Sequence, residues 1–310
     1  MIRAWLSALG LGTALRRAFG IRLGRLFQYP PRALSVPSIA APGLDQNLPS
    51  IAIVTPSFNQ AAYVRATMES VLSQGYPHLE YIVQDAGSTD GSLDVLAGFA
   101  GRGVTVVVEP DRGQSDALNR GFARTSAEVL AYLNSDDMYV PGTLHRIGRF
   151  FRDNPSVDVV YGNRLVIDDH SREVGRWILP RHDAQVLPQI DYVPQETMFW
   201  RRRIWERCGA RFDENATFAL DWDLLLRFLQ QQAVFRHLPW LFALFRAHAG
   251  QKTQASFVAD GAGEMRLLRL QNRAQSGNYF QRLASHGFFL FAHQQADKQF
   301  ARELRDKLTR

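Results

Sequence analysis

The chain contains very little cysteine and no long hydrophobic run. Cys208 is the single cysteine among 310 residues, which excludes an internal disulfide and a cysteine-rich zinc site. A reducing compartment is therefore expected, with Cys208 as an ordinary core or surface thiol. No segment reaches the ~20 consecutive apolar residues that a membrane-spanning helix needs. We therefore expect no integral membrane segment.

Acidic residues are absent from the first 27 positions, which contain five arginines among leucines and aromatic residues. This segment lacks the long apolar core and the cleavage site of a secretory signal. Two interpretations stay open: an amphipathic helix lying on an anionic membrane, or a helix packed on the protein. Several prolines between positions 30 and 49 then predict a linker. The first 49 residues are thus expected to precede the main domain.

Overall composition excludes a disordered chain but does not select a function. Hydrophobic residues make up 46% and charged residues 21% of the sequence, as in globular proteins with a sizeable core. The net charge of +6 indicates an anionic partner such as nucleic acid, membrane headgroups or a phosphorylated substrate. Because the basic residues do not cluster on one predicted face with aromatic partners, we do not expect nucleic acid.

From residue 50 onwards, short apolar runs alternate with polar loops and helical patterns. The predicted strands are Ile51–Thr55, Leu79–Val83, Val104–Glu109 and Val129–Leu133, and the predicted helices are Ala61–Ser73, Ser92–Ala100 and Asp116–Phe122. Such repeats require right-handed crossovers and a largely parallel sheet, which brings the loops after the strands to one edge. A further strand is predicted over Val157–Tyr161, ending before Gly162, with a hairpin tip at 168–170.

The fourth predicted strand leads directly into Ser135-Asp136-Asp137. Ligands of open α/β sheets collect at this edge. Two adjacent acids on a turn cannot both ionise cheaply without a counter-charge, which a divalent cation held together with substrate phosphates would supply. A solvated turn, or a cap of the following helix, explains a lone motif of this kind equally well. The other loops must therefore decide between these interpretations.

Four loops together carry a resemblance to a known family. In order, they read Thr55-Pro56-Ser57-Phe58-Asn59, Asp85-Ala86-Gly87-Ser88-Thr89-Asp90-Gly91, Asp111-Arg112-Gly113-Gln114 and Ser135-Asp136-Asp137. They resemble the nucleotide-binding half of the family 2 glycosyltransferases over about residues 51 to 253. The resemblance implies the GT-A fold, an α/β Rossmann-like sandwich with a mostly parallel central sheet, together with a nucleotide-sugar donor, Mg²⁺ or Mn²⁺, and inversion at the anomeric carbon.

The resemblance covers the middle of the chain and leaves both termini to be interpreted from their own residues. A basic N-terminal segment and linker would cover 1–49, the GT-A domain 50–254, and a helical C-terminal extension 255–310. Apolar residues beyond position 254 recur with helical spacing and predict two or three helices. These helices could dock on a membrane with the N-terminus, or pack on the catalytic domain or a second subunit.

Residues that bind the nucleotide sugar are expected in the loops after the strands and in two later segments. Asp85 matches the acid that grips the nucleoside, and Arg112 offers a planar bidentate cation to a diphosphate. The complete predicted set is Thr55, Pro56, Asn59, Asp85, Asp111, Arg112, Gln114, Ser135, Asp136, Gln195, Glu196 and Lys252. Turns, helix caps and surface ion pairs are the alternative explanation for these residue types.

The family pattern assigns the metal to Asp137, with Asp136 on the ribose or sharing the ion. His248, in a loop of small residues, is a candidate for a further metal ligand. Asp221 matches the catalytic base, since a carboxylate near the acceptor hydroxyl is the simplest group to remove its proton. Leu220 stands where the family usually has a glutamate, which leaves the base role open between Asp221 and Asp223.

These expectations describe an inverting glycosyltransferase of bacterial-type surface polysaccharide synthesis. The expected donor is a UDP- or dTDP-sugar, and the expected acceptor is a hydroxyl of a saccharide or lipid-linked saccharide. The expected location is the cytoplasm, with peripheral contact to the inner membrane if the N-terminal segment binds lipid; the sequence does not predict an oligomeric state. A non-catalytic scaffold and a sugar nucleotidyltransferase are the alternatives. A dinucleotide oxidoreductase is excluded because residues 55–60 contain no glycine.

Overall fold

The computed structural model describes residues 23–36, 47–251, 261–272 and 279–308. The strands are β1 (Ile51–Ser57), β2 (Leu79–Asp85), β3 (Val104–Val108), β4 (Val129–Tyr132), β5 (Met138–Tyr139), β6 (Val159–Ile167), β7 (Glu173–Trp177), β8 (Phe199–Arg201) and β9 (Phe235–Arg246). The helices are α1 (Val64–Leu72), α2 (Ser92–Ala97), α3 (Gln114–Ala123), α4 (Thr143–Asp153), α5 (Arg202–Arg207), α6 (Leu220–Gln230), α7 (Ala262–Gln271) and α8 (Tyr279–Leu308).

Four strands form a parallel half-sheet in the order β3-β2-β1-β4. Strand β1 lies inside this group and reads as a continuous apolar run because helices cover both of its faces. Val54 packs in one core cluster with Phe122 of α3, whereas its neighbour Ile53 packs in a second cluster with Met68 of α1. The four predicted strands are confirmed, with ends that differ by one or two residues.

The second half of the sheet closes the fold beyond β4. Strand β8 pairs antiparallel with both β4 and β6, and β9 runs parallel to β6. The short strand β5 follows the acidic turn and pairs antiparallel with β9, while β7 forms a hairpin with β6. This pairing brings the end of β9 beside the turn after β4. The predicted α/β architecture with a mostly parallel sheet is confirmed, as is the hairpin tip between β6 and β7.

The predicted end of the strand before Gly162 is wrong. Strand β6 continues through Gly162 to Ile167, with a register shift against β9 at this point. A Cβ atom on Gly162 would lie 2.3 Å from Cδ2 of Phe242, so the glycine leaves space for a ring of the neighbouring strand. A glycine that permits close packing and a glycine that ends a strand look alike in sequence.

Substituting alanine for Gly162 is expected to lower the free energy of unfolding by about 1–3 kcal/mol, because Phe242 must leave its place in the core. Urea denaturation measures this difference, provided that the free energy of unfolding depends on urea concentration with the same slope in the variant and the natural protein. Gly263→Ala is the matched control: Gly263 lies in α7 with no atom within 4 Å of its added Cβ, so the change should be neutral or slightly stabilising. Equal stability of Gly162→Ala and the natural protein would contradict the packing argument.

Segments on both sides of the sheet domain join its core. Leu23, Leu268 of α7 and Phe289 of α8 are all buried in the same cluster as the helices of the domain. Asp297 of α8 pairs with Arg176 of β7 at 2.7 Å. Two of the predicted C-terminal helices are thus present and pack on the domain. Residues 1–22 lie outside the described part, so both interpretations of that segment stay predictions. No helix within the described ranges is long and apolar enough to cross a membrane.

Candidate active site

A cavity of about 1050 Å³ opens at the carboxyl ends of β1 and β4 and extends to α6 and α7. The volume of this central cavity is at the upper end of the ~300–1000 Å³ range of typical small-molecule sites. The predicted site residues that line it are Pro56, Asp111, Gln114, Ser135, Asp136, Gln195, Glu196 and Asp221. Thr55, Asn59, Asp85, Arg112, Asp137 and His248 lie outside its lining, and Lys252 falls outside the described residues.

Asp85 is completely buried at the end of β2 and organises the loops around it. Its Oδ1 accepts hydrogen bonds from the backbone N–H groups of Gly87 and Ser88, at 3.0 and 2.8 Å. Its Oδ2 accepts from the hydroxyls of Ser57 and Ser88, both at 2.8 Å. These four bonds use the lone pairs of the carboxylate. Its predicted contact with a nucleoside is untested, and it would require one of these partners to move.

Three further predicted residues make contacts within the protein outside the cavity. Asn59 has a positive φ of 52°, and its side-chain oxygen accepts from the N–H of Thr89 at 2.9 Å, which ties the loop after β1 to the loop after β2. Thr55 is buried, with its hydroxyl 3.1 Å from that of Tyr81. Arg112 is exposed and pairs with Glu214 at 2.5 Å. Their roles toward a nucleotide sugar remain predictions.

Side-chain amides connect three loops at the floor of the cavity. The Nε2 of Gln114 donates to Oδ1 of Asn134 at 2.8 Å, and the Nδ2 of Asn134 donates to Oε1 of Gln195 at 3.1 Å. Gln195 in turn donates to the carbonyl of Tyr132, the last residue of β4, at 2.7 Å. All four residues line the cavity. This amide chain fixes the loop after β3, the turn after β4 and the segment before β8 relative to one another.

Asp136 faces the cavity and pairs with His248 from the loop after β9. The distance between Oδ2 of Asp136 and Nε2 of His248 is 3.0 Å. The His248 ring packs against Tyr63, with 4.6 Å between ring centroids. The antiparallel pairing of β5 with β9 explains why two residues 112 positions apart in sequence meet here. Both predicted residues therefore come together.

Asp137 turns away from the cavity and is completely buried. Its Oδ1 accepts a hydrogen bond from the backbone N–H of Arg246 at 2.9 Å, and its Oδ2 is buried without a hydrogen-bond partner. Burial raises the pKa of Asp137 well above its usual range, and the neighbouring acids Asp136 and Glu196 add to this. The Arg246 guanidinium binds the carbonyls of Asp136 and Asp168, at 3.1 Å each, and thereby holds the turn in place.

A divalent cation fits this corner of the cavity only with ligands beyond the protein. In the described part of the chain, no three of histidine, cysteine, aspartate and glutamate converge as a ready ligand set. Asp136 provides an oxygen at the cavity wall, and His248, which contacts that oxygen, provides a nitrogen just outside the lining. Magnesium and manganese sites at nucleotides commonly use one or two protein groups and complete the shell with phosphate and water. The donor set present is compatible with such a site.

Two further carboxyl groups of the cavity lining interact with each other, and one of them belongs to α6. Asp221 is in the first turn of α6, where its Oδ1 accepts from the N–H of Trp222 at 2.9 Å. Burial raises the pKa of Asp221 to about 6. Asp191 also lines the cavity, and its Oδ1 is buried without a hydrogen-bond partner. Burial, followed by the charge of Asp221, raises the pKa of Asp191 well above its usual range.

Within the described residues, one arginine reaches the cavity lining, and its guanidinium is already paired with a carboxylate and packed against aromatic rings. Arg164 of β6 forms a buried ion pair with Glu196 at 3.2 Å. Its guanidinium also lies 3.7 Å from the ring centroid of Trp177 and 4.3 Å from that of Phe245. The acids that line the cavity are Asp111, Asp136, Asp191, Glu196 and Asp221. Their excess over Arg164 leaves the lining acidic, so an anionic ligand needs a cation to enter with it.

Three lining residues, and one residue that supports the acidic turn, were absent from the predicted set. Asn134 directly precedes the acidic motif and could have been included on that ground. Arg164 lies beyond the predicted end of its strand, and Asp191 belongs to the irregular segment between β7 and β8, which has no recognisable motif. Arg246 closes the turn through contacts of its backbone and side chain that only the pairing of β9 creates. No local pattern signals the last three.

A family model described as Glycosyl transferase family 2 matches residues 52–239. A glycosyltransferase of Nostoc sp., named as uncharacterized, is 29% identical over 170 residues, which cover 51% of this chain and 52% of the relative. A PGL/p-HBAD biosynthesis glycosyltransferase of Mycobacterium tuberculosis is 28% identical over 207 residues, or 65% of this chain and 78% of that protein. The match thus spans only about half of the Nostoc relative.

The fold also resembles solved structures. The crystal structure of residues 1–349 of S. aureus TarS in complex with UDP-GlcNAc superposes with a TM-score of 0.59. The two chains are 17% identical, and the match covers 71% of this chain and 65% of that one. A structure of the same TarS fragment in complex with UDP gives a TM-score of 0.56. At this identity the likeness establishes the GT-A fold and no more.

Proposed function

Because the chain belongs to glycosyl transferase family 2, we propose that it transfers a sugar from a nucleotide diphosphate donor to a hydroxyl of a saccharide or lipid-linked saccharide. The observation that carries the proposal is the central cavity, whose lining holds Asp136, paired with His248, together with Asp221 and Asp191. Such an arrangement provides both a place for a charged diphosphate and a proton acceptor.

The donor is assigned to the end of the cavity formed by the loops after β1, β3 and β4. Gln114 and Asn134 present amide groups there, which suit the hydroxyls of a ribose or a sugar. Phe58 lines the same region with 58% of its surface exposed, and an exposed ring can stack on a base. TarS has been crystallised with UDP and UDP-GlcNAc, which supports a uridine nucleotide as the first candidate.

Asp136 and His248 are the residues that we assign to Mg²⁺ or Mn²⁺. The acidic lining supports this, because a diphosphate would otherwise approach several carboxylates without a counter-charge. When bound, such an ion supplies Lewis-acid stabilisation of the leaving diphosphate. We assign Asp137 to holding the turn through Arg246, since its carboxyl is buried and accepts the Arg246 N–H. This assigns the metal to Asp136, whereas the family pattern implied Asp137 as the direct ligand.

Asp221 is the residue that we assign to the base. The acceptor oxygen forms a bond to the anomeric carbon as its proton passes to Asp221, and the bond from that carbon to the phosphate oxygen breaks with its electrons leaving on the nucleoside diphosphate. A single displacement of this kind inverts the anomeric configuration. The Trp222 N–H holds Oδ1 of Asp221, so Oδ2 is the atom assigned to proton transfer. Asp191, which burial favours in its protonated form, can donate a hydrogen bond to the acceptor.

A thermal-shift panel tests the proposal. UDP or dTDP is expected to raise the melting temperature when Mn²⁺ is present and to have little effect in EDTA, because a ligand that binds the folded state alone stabilises it by mass action. Adenosine diphosphate and NAD serve as comparison ligands under both conditions. A shift with NAD that does not depend on metal, or no shift with any nucleotide diphosphate, would contradict the assignment.

A further inference from the structure

Large apolar side chains are exposed on both C-terminal helices. Leu267 and Leu270 of α7 are 55% and 57% exposed, and Phe288 and Phe291 of α8 are 74% and 61% exposed. A spacing of three residues places each pair on one side of its helix. Single exposed apolar residues are ordinary, but groups of them mark interaction surfaces. We call these four residues the α7–α8 face.

The two helices are neighbours, so the two pairs belong to one region of the surface. Arg269 of α7 donates to the carbonyl of Gln189 at 2.9 Å, and the side chain of Gln189 lies 3.5 Å from the hydroxyl of Ser285 on α8. On their inner sides, Leu268 and Phe289 are buried in the same core cluster. This packing buries one side of each helix and leaves the four residues of the α7–α8 face exposed on the other side.

Basic side chains predominate among the exposed charges around this face. Arg266, Arg269 and Lys298 are exposed, whereas the acids of the same stretch turn inward. Glu264 accepts hydrogen bonds from the backbone N–H groups just before α6, at 2.9 to 3.2 Å, and Asp297 is buried against an arginine of β7. Among the described side chains of α7 and α8, the one exposed acid is Glu303, which lies toward the end of α8 and accepts a hydrogen bond from Gln299 at 2.9 Å. The face is therefore apolar with a basic border.

The sequence attached beside α8 has the same character. The backbone N–H of Leu23 donates to Nε2 of His293 on α8 at 3.2 Å, so the chain before Leu23 begins next to this helix. Residues 1–22 contain arginine, leucine and aromatic residues and no acid.

We propose that the α7–α8 face docks on the surface of an anionic lipid bilayer. Phe288 and Phe291 would enter the boundary between headgroups and acyl chains, while Arg266 and Lys298 would lie among the lipid phosphates. Apolar burial and attraction to anionic lipid together are what such surfaces use to bind reversibly. A lipid surface fits better than a nucleic acid, because the exposed residues at the centre of the face are aliphatic and aromatic and the cations lie around them.

The position of α7 relates this surface to the central cavity. Met265 lines the cavity and lies two residues before Leu267 in the same helix. A bilayer against the face would thus lie close to one edge of the cavity. The arrangement fits an acceptor sugar that is carried on a lipid; this last step rests on the proposed transferase function, whereas the docking does not.

Cosedimentation of the full chain with vesicles tests the docking. Binding is expected to vesicles of phosphatidylcholine with an equal amount of phosphatidylglycerol, to be weaker with phosphatidylcholine alone, and to fall at ~1 M salt, where screening acts within ~3 Å. The double variant Phe288→Ser/Phe291→Ser is expected to bind the anionic vesicles at least about tenfold more weakly than the natural chain. Val108→Ser, which removes a 51%-exposed apolar side chain from β3, is the matched control and should bind normally.

A second variant tests the docking independently, in case the first variant does not fold. Arg266→Glu/Lys298→Glu is expected to weaken binding to anionic vesicles and to leave the melting temperature nearly unchanged. The UDP and Mn²⁺ thermal shift of each variant reports on the central cavity, so failure of the docking and failure of the transferase assignment are separate results. Anionic vesicles that do not bind the natural chain would overturn the proposal, as would unchanged binding by both variants. Two other results would also overturn the proposal if the vesicles do not bind. A variant that loses a dimer formed by the natural chain would identify a second copy as the occupant. A variant whose melting temperature falls by several degrees would identify the chain's own residues 1–22 as the occupant.

Discussion

Asp221→Asn is expected to reduce turnover about 10²- to 10⁴-fold while donor binding stays the same, because an amide cannot accept the proton of the acceptor hydroxyl. The substitution keeps the size of the side chain and the oxygen that accepts from the Trp222 N–H. Turnover is measured as release of UDP, and donor binding as the thermal shift with UDP and Mn²⁺. Unchanged values of both would contradict the base assignment and favour a non-catalytic scaffold.

Asp223→Asn is the matched control on the same helix. Asp223 forms an ion pair with Arg227 at 2.9 Å and does not line the central cavity. Loss of such a partly exposed pair costs a few tenths of a kcal/mol, so turnover should remain near that of the natural chain. A large loss with Asp223→Asn, and none with Asp221→Asn, would transfer the base role to Asp223.

The pH profile gives an independent measure of the same carboxyl. Burial raises the pKa of Asp221 to about 6, and the group accepts a proton only in its ionised form. The value of kcat/KM should therefore be level above this pH and fall about tenfold per pH unit below it. Asp221→Asn should remove this dependence from the residual activity. If Asp221 only supported the fold, the kcat/KM of the Asn variant would still decrease below about pH 6.

Asp136→Asn is expected to abolish most of the metal-dependent stabilisation by UDP, and Asp137→Asn is expected to retain it. Asp136 lines the central cavity beside His248, whereas Asp137 is buried and binds the backbone of Arg246. Each tenfold loss of ligand affinity removes about 1.4 kcal/mol of the stabilisation that the ligand provides. The measurement is the shift in melting temperature of each variant relative to its own ligand-free form, over a series of Mn²⁺ concentrations.

The comparison between these two variants discriminates two specific assignments. Asn at position 137 preserves the acceptor for the Arg246 N–H and replaces a carboxyl whose pKa burial already raises. Its melting temperature without ligand should consequently change little. The opposite result, in which Asp137→Asn loses the response to Mn²⁺ and Asp136→Asn retains it, would restore the assignment that the family pattern implied.

The parallel half of the sheet could be predicted from sequence because each of its strands is an apolar run bounded by a polar loop. Both faces of these strands are covered, so burial is uniform and the run itself is the signal. The loops carry short motifs, and their order along the chain is sufficient to predict a common edge. For this reason the sequence predicted that Asp111 and Asp136 lie close together, and both line one cavity; Asp221, in the first turn of α6, also lines it but was predicted through the resemblance.

The remaining part of the site depends on contacts between distant segments. Asp191 reaches the cavity from an irregular connection, and Arg164 from a strand that continues through a glycine. Sequence also cannot distinguish which of two adjacent acids faces outward. Arg246, more than a hundred residues later, meets the turn through the end of β9 and accounts for the orientation of Asp136 and Asp137. These features arise from tertiary packing, which overrides local preference.

Arg246 also determines how freely this scaffold can be altered. Its guanidinium bonds to the carbonyls of Asp136 and Asp168 and to the hydroxyl of Ser171, so one side chain joins the acidic turn to the tip of the β6–β7 hairpin. A hairpin tip is usually the first place chosen for inserting a tag or for exchanging a segment with a relative. Here such a change would remove the contacts that hold Arg246 against the turn that carries Asp136. Insertions and segment exchanges should therefore avoid residues 168–171 and use other loops.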